Sequence, residues 1–173
     1  GVVGGAWERL FDETIAGLEF NVQGEDLNIE GTLNLLNEQN RDTRQAAAEE
    51  LARVFTNNIR TFARVHNTQA KEKEIMDRWR GMPTPQTGRH LSNDVEPEVV
   101  EALRNAVVAA YPRLSHRYYD LKRRWLGLDV MQVWDRNAPL PMETTRTVPW
   151  DEARETVMTA YTAFDPRMGA LAT

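Results

Sequence analysis

The apolar positions of this chain recur mostly at three-and-four spacing, the period of a helix packed on one face. In "WERLFDETIAGLEF", Trp7, Leu10, Phe11, Thr14, Ile15 and Leu18 predict a short helix that Gly17 helps to end. The period then changes: Leu18, Phe20 and Val22 alternate before Gly24, with Leu27 and Ile29 after it, which predicts a small hairpin or extended detour. Leu33, Leu35 and Leu36 open a short helical turn.

The strongest pattern runs from Asp42 to Trp79, a stretch without glycine or proline and rich in alanine and long straight side chains. Asp42 is expected to cap it, and Ala48, Leu51, Phe55, Ile59, Phe62 and His66 form its apolar stripe. Glu49 with Arg53 and Glu74 with Arg78 are favourable pairs one turn apart. Unbroken, this helix would be roughly 57 Å long, more than the diameter of a small domain.

Gly81, Pro83, Pro85 and Gly88 interrupt the helical period, so residues 81–93 read as a loop or hinge. Asp94 is the expected cap of the next helix, Pro97 suits its first turn, and Val99, Leu103, Ala106, Val107 and Ala110 line one side. Pro112 marks a boundary, after which Leu114, Tyr118, Leu121 and Trp125 make a further stripe closed by Gly127 in a left-handed cap. Residues 129–149 carry three prolines and read as an irregular connection, in which Val130, Gln132 and Trp134 fit a short strand. A last helix is predicted from Trp150 to Phe164, and the chain after Pro166 offers no core. The predicted fold is all-α or mostly α: an antiparallel helical lobe across residues 1–173 with a small extended or hairpin element near the N-terminus.

A chain of 173 residues is long enough to bury a real core, and 41% hydrophobic residues with five Trp, four Tyr and five Phe exclude global disorder. Cysteine is absent, which excludes disulfides, thiol nucleophiles and cysteine zinc sites and permits a reducing compartment. No apolar run reaches the length of a membrane span, and no signal peptide is visible, so a membrane is not an expected partner. The net charge of −5 is uneven: residues 1–40 hold eight acids against Arg9 alone. Arg113, Arg117, Lys122, Arg123 and Arg124 face only Asp120 within one short stretch. Rings interleave those charges every few residues, the pattern of a solvated helix face rather than of a nucleic-acid groove.

Catalytic patterns are missing. The histidines at 66, 90 and 116 lie too far apart in sequence to form the helix-borne zinc pair with an intervening glutamate. Neither serine sits in a nucleophile elbow, and the glycines form no phosphate or dinucleotide loop. Tyr118 is expected to pack on its stripe, while Tyr119, on a more mixed face, is the tyrosine candidate for facing a substrate. The stretch "WDRNAPL" concentrates polar groups: Asp135 is expected to accept backbone amides or to pair with Arg136 or an arginine of the basic helix. Asn137 suits a turn that Pro139 fixes, so Asp135, Arg136 and Asn137 read as structural anchors or as groups along a substrate channel.

Four stretches, "LNLLNEQNRDTRQAAAEEL", "RHLSNDVEPEVVEALRNAV", "LSHRYYDLKRRWLGLDVMQVWDRNAPL" and "VPWDEARETVMTAY", together resemble the helical region that precedes the catalytic segment of oligoendopeptidase F proteins, within the thimet oligopeptidase-like superfamily. The likeness runs from about Ala6 to Phe164. It implies a cytoplasmic parent enzyme that cuts short oligopeptides with zinc-activated water, inside a deep channel in a mostly helical body. Its HExxH motif would lie downstream, so no zinc ligand and no catalytic residue maps onto this sequence, and the fragment alone is expected to hold no cofactor and to be inactive. By the same resemblance, Trp134 to Pro139 matches the connection toward the channel wall, and the implied partners are the missing catalytic lobe of the same chain and oligopeptide substrates. Apolar surface left bare by that missing lobe would favour self-association. The competing reading is a freestanding helical module whose Arg113–Arg124 face, with a local charge of +4, binds an acidic partner.

Overall fold

The computed structural model describes residues 2–141 and 147–172, with side chains from residue 5 onward. The fold is mostly helical, with a two-stranded antiparallel hairpin near the N-terminus. The chain divides into two compact units, Gly1–Pro141 and Met142–Thr173.

The first unit opens with helix α1 (Val2–Ala16), followed by strands β1 (Phe20–Val22) and β2 (Glu25–Leu27). Phe20 pairs with Leu27 and Val22 with Glu25, and the tight turn between the strands holds Gln23 and Gly24 at φ of 54° and 91°. Both left-handed positions match the twist that a two-residue hairpin turn requires. The alternation sends Phe20 and Val22 inward, and Phe20 joins Leu51 and Val54 in the core. The Asn21 N–H donates to Glu50 Oε1 at 2.9 Å, which ties the hairpin to the helix beneath it. Helix α2 (Ile29–Leu35) supplies Ile29 to the same core.

The expected single helix over residues 42–79 is two: α3 (Arg41–Asn57) and α4 (Ile59–Trp79). Asn58 divides them at φ −101° and ψ 4°, and its side-chain amide donates to the Val54 carbonyl at 2.9 Å. An asparagine side chain competes with the backbone for such carbonyls, and helix-forming neighbours do not prevent it. The cap of α3 also differs from the expected Asp42: Asn40 Oδ1 accepts the N–H groups of Asp42 and Thr43. Arg53 pairs with Glu50 rather than Glu49. An edge-to-face series of rings, Phe20 to Phe55, Phe55 to Phe62 and Phe62 to Phe11, runs from the core to α1 with centroid separations of 5.8–5.9 Å.

The stretch 81–93, expected to be a loop, contains the short helix α5 (Thr87–Ser92). The Thr84 N–H donates to Thr87 Oγ1 at 3.2 Å and so starts a helical turn despite the flanking prolines. Asp94 is not a cap but a left-handed residue at φ 50°, and α6 (Pro97–Ala110) starts with Glu96 at its N-cap. The apolar stripe of α6 lies bare: Val99, Leu103 and Val107 are 54%, 65% and 44% exposed. Helix α7 (Ser115–Trp125) ends as the sequence predicts, at Gly127 with φ +65°, while Tyr118, expected to be packed, is exposed. In place of the expected strand near Val130 there is one 3-10 turn, Val133–Asp135.

The second unit holds α8 (Trp150–Phe164), with the predicted bounds, and α9 (Pro166–Leu171), which the sequence did not suggest. Asp165 caps α9 by accepting the Arg167 N–H at 2.8 Å, and buried Gly169 lets α9 sit directly on Thr162 of α8. Residues 142–146 of the expected irregular connection lie outside the described residues. Among the described residues, no helix is long and apolar enough to cross a membrane.

Candidate functional site

The polar groups of "WDRNAPL" are built around Asp135, whose exposure is 0%. Arg41, in the first turn of α3, donates from Nε to Oδ1 at 3.0 Å and from Nη2 to Oδ2 at 2.8 Å. Arg44, one turn further on, donates from Nη2 to Oδ1 at 3.1 Å, and the backbone N–H of Gln132 donates to Oδ2 at 2.9 Å. The anticipated partner, Arg136 or an arginine of the basic helix, is therefore replaced by two arginines more than 90 residues away in sequence.

Arg44 does more than balance charge. It is 3% exposed, and its Nη1 donates to the carbonyls of Glu38 and Gln39 at 2.8 and 2.9 Å while Nε donates to the Trp134 carbonyl at 3.1 Å. One guanidinium thus joins the approach to α3, the 3-10 turn and the buried carboxylate. From the other side, buried Lys122 of α7 donates to the Arg136 carbonyl at 2.8 Å. Arg123 donates to the Leu128 carbonyl at 2.8 Å, and both Arg123 and Arg124 pair with Asp120 at 2.9 Å.

Burial by itself raises the pKa of Asp135, but the hydrogen bonds from Arg41, Gln132 and Arg44 outweigh it and bring the group down to about 2. Both oxygens are occupied and the carboxylate stays ionised, so the chemistry open to it is to fix the loop. Arg136 and Asn137 are exposed beside it, and among the described residues the Asn137 side chain has no hydrogen-bond partner. Tyr119 is exposed on α7 against the ring of Tyr118, at a centroid separation of 5.4 Å, and is not part of the Asp135 cluster. Trp134 contributes a buried Nε1 without a hydrogen-bond partner among the described residues.

Arg41 and Arg44 are the site residues that inspection of "WDRNAPL" misses. A signal for them exists: two bases in the first turns of α3 oppose the helix dipole, an arrangement that calls for an anion nearby. Among the described residues, no group of three or more His, Asp or Glu side chains is placed to hold a metal ion.

The described residues form a helical body with one small hairpin and a buried ion cluster that fastens a late loop to an early helix. No protein-family model matches it. The oligopeptidase PepF of Bacillus subtilis (strain 168) is 24% identical over 123 residues, which cover 71% of this chain and 18% of that protein. A solved structure of oligoendopeptidase-F from Enterococcus faecium superposes with a TM-score of 0.70 at 25% identity, over 98% of this chain and 33% of its own. A solved chain from Bacillus anthracis str. Ames shares the fold at a TM-score of 0.84 and 15% identity, over 98% of this chain and 32% of its own. Along this length the chain is similar to oligoendopeptidase F proteins, and it spans about a fifth of the curated relative and a third of the solved ones.

Proposed function

We propose that this chain is a non-catalytic part of an oligoendopeptidase F-like peptidase, forming wall along the channel through which short oligopeptides reach the reacting centre. The observation that carries this reading is the match of nearly the whole chain to one third of oligoendopeptidase-F from Enterococcus faecium. The bare stripe of α6, with Val99, Leu103 and Val107, fits a lobe that further polypeptide covers. Within this reading the Asp135 cluster holds the loop rigid, and the exposed Arg136 and Asn137 are the groups that the loop presents to its surroundings. Tyr119 is presented separately from α7.

The parent's zinc chemistry, polarisation of a carbonyl and activation of water, belongs to residues outside this chain. The described side chains do not fit a zinc site, since His66, His90 and His116 stand on three separate helices and no cluster of ligands surrounds any of them. A cytoplasmic location is part of the same proposal.

The competing acidic-partner reading rests on the same basic stretch, where Arg113 and Arg117 are exposed. Within it, Lys122 and Arg123 are turned onto backbone carbonyls, and Arg123 and Arg124 share the single carboxylate of Asp120. The test is to incubate the purified chain with zinc and a quenched oligopeptide. Neither stoichiometric zinc binding nor turnover is expected, and zinc-dependent hydrolysis by this chain alone would overturn the proposal.

A further inference from the structure

We propose that the groove between α1 and α4 is a binding site for a cationic, apolar peptide segment. The groove encloses about 630 Å³, within the roughly 300–1,000 Å³ of ordinary ligand sites. Phe11, Phe62 and Val65 give it an apolar base, and Glu8, Asp12 and His66 stand around it. Both walls are regular helices joined by the edge-to-face contact of Phe11 and Phe62, so the shape exists before a ligand arrives.

Its chemistry selects the occupant. Phe11 keeps 43% of its surface exposed, an aromatic face left available inside a concave site. Glu8 and Asp12 are one turn apart on α1, both exposed, and no lysine or arginine lines the groove. A cationic ligand gains attraction from those carboxylates that a neutral one does not, and an acidic one would be repelled. A lysine or arginine beside an aromatic or aliphatic side chain satisfies both features, with the cation between the carboxylates and the ring. His66, expected on a packed stripe, is exposed here and available as a hydrogen-bond partner.

This site is independent of the peptidase reading, because it is tested by binding to the chain itself. The probe is the blocked peptide Lys-Phe-Lys-Leu-Lys, titrated into the isotopically labelled protein while backbone amide shifts are followed. Saturable shifts confined to α1 and α4 are expected. The isosteric E8Q/D12N variant should bind about fivefold more weakly, and its affinity should depend less on salt. Phe11→Ala, checked for an unchanged circular dichroism spectrum, should weaken binding further. Equal binding of the Glu-for-Lys peptide, shifts located elsewhere, unaltered affinity of E8Q/D12N, or no saturation at millimolar peptide would each overturn the proposal.

Discussion

The two oxygens of Asp135 accept four hydrogen bonds from Arg41, Arg44 and the Gln132 amide, in a position with no solvent exposure. Removing the carboxylate charge by Asp135→Asn leaves Arg44 buried without a counter-ion, which costs about 3–5 kcal/mol and should appear as a lower urea midpoint. Arg44→Lys should not rescue the cluster, because one ammonium cannot reach the carboxylate and three carbonyls together. The pH dependence has a fixed sign. A carboxyl lowered from 3.8 to about 2 on folding stabilises the protein fully above pH 3.8 and loses that contribution as pH falls through about 2. Acid unfolding followed by circular dichroism should therefore lose this component in Asp135→Asn. The sequence makes Asp135 conspicuous but leaves its partners open, since a charge in one loop carries no record of which distant helix it meets. Only the misfit of Arg41 and Arg44 with their helix dipole hints at the answer.

Helices are legible here wherever an apolar stripe repeats, and their limits are legible wherever glycine or proline forces them. Gly127 closes α7 and Pro149 precedes α8 for that reason. Asn58 and Asn40 escape such a reading because asparagine is compatible with a helix and leaves it only when its side chain finds a backbone partner. Helix α9 escapes for another reason: its contact with α8 depends on a missing side chain rather than an apolar one. A Cβ at Gly169 would lie 3.0 Å from Thr162 Cβ and closer still to its hydroxyl, and 3.1 Å from Thr162 Cα, so the helices would have to separate. Gly169→Ala should therefore lower amide exchange protection in α9 while leaving α3 and α4 unchanged. Equal protection in both proteins would show that the close approach is not required.

At the scale of the molecule, the best packed region is the first half of the larger unit, where the hairpin, α2 and α3 share the core around Phe20, Leu51 and Val54. Helix α6 contributes no buried residue, so its amphipathic stripe is a surface and not a second core. That distinction was invisible in the sequence, because three-and-four spacing marks a face able to be covered without saying whether it is. It leaves an uneven division of labour between the stretch before Met82 and the stretch after it. The bonds from Arg41 and Arg44 to the turn at Trp134 and Asp135 act as a rivet between two lengths of chain. A single protease cut in the exposed Pro83–Pro85 segment should consequently yield two pieces that still travel together in gel filtration at neutral pH. The same cut in Asp135→Asn should release them, turning a buried ion cluster into the criterion for whether a severed chain behaves as one molecule.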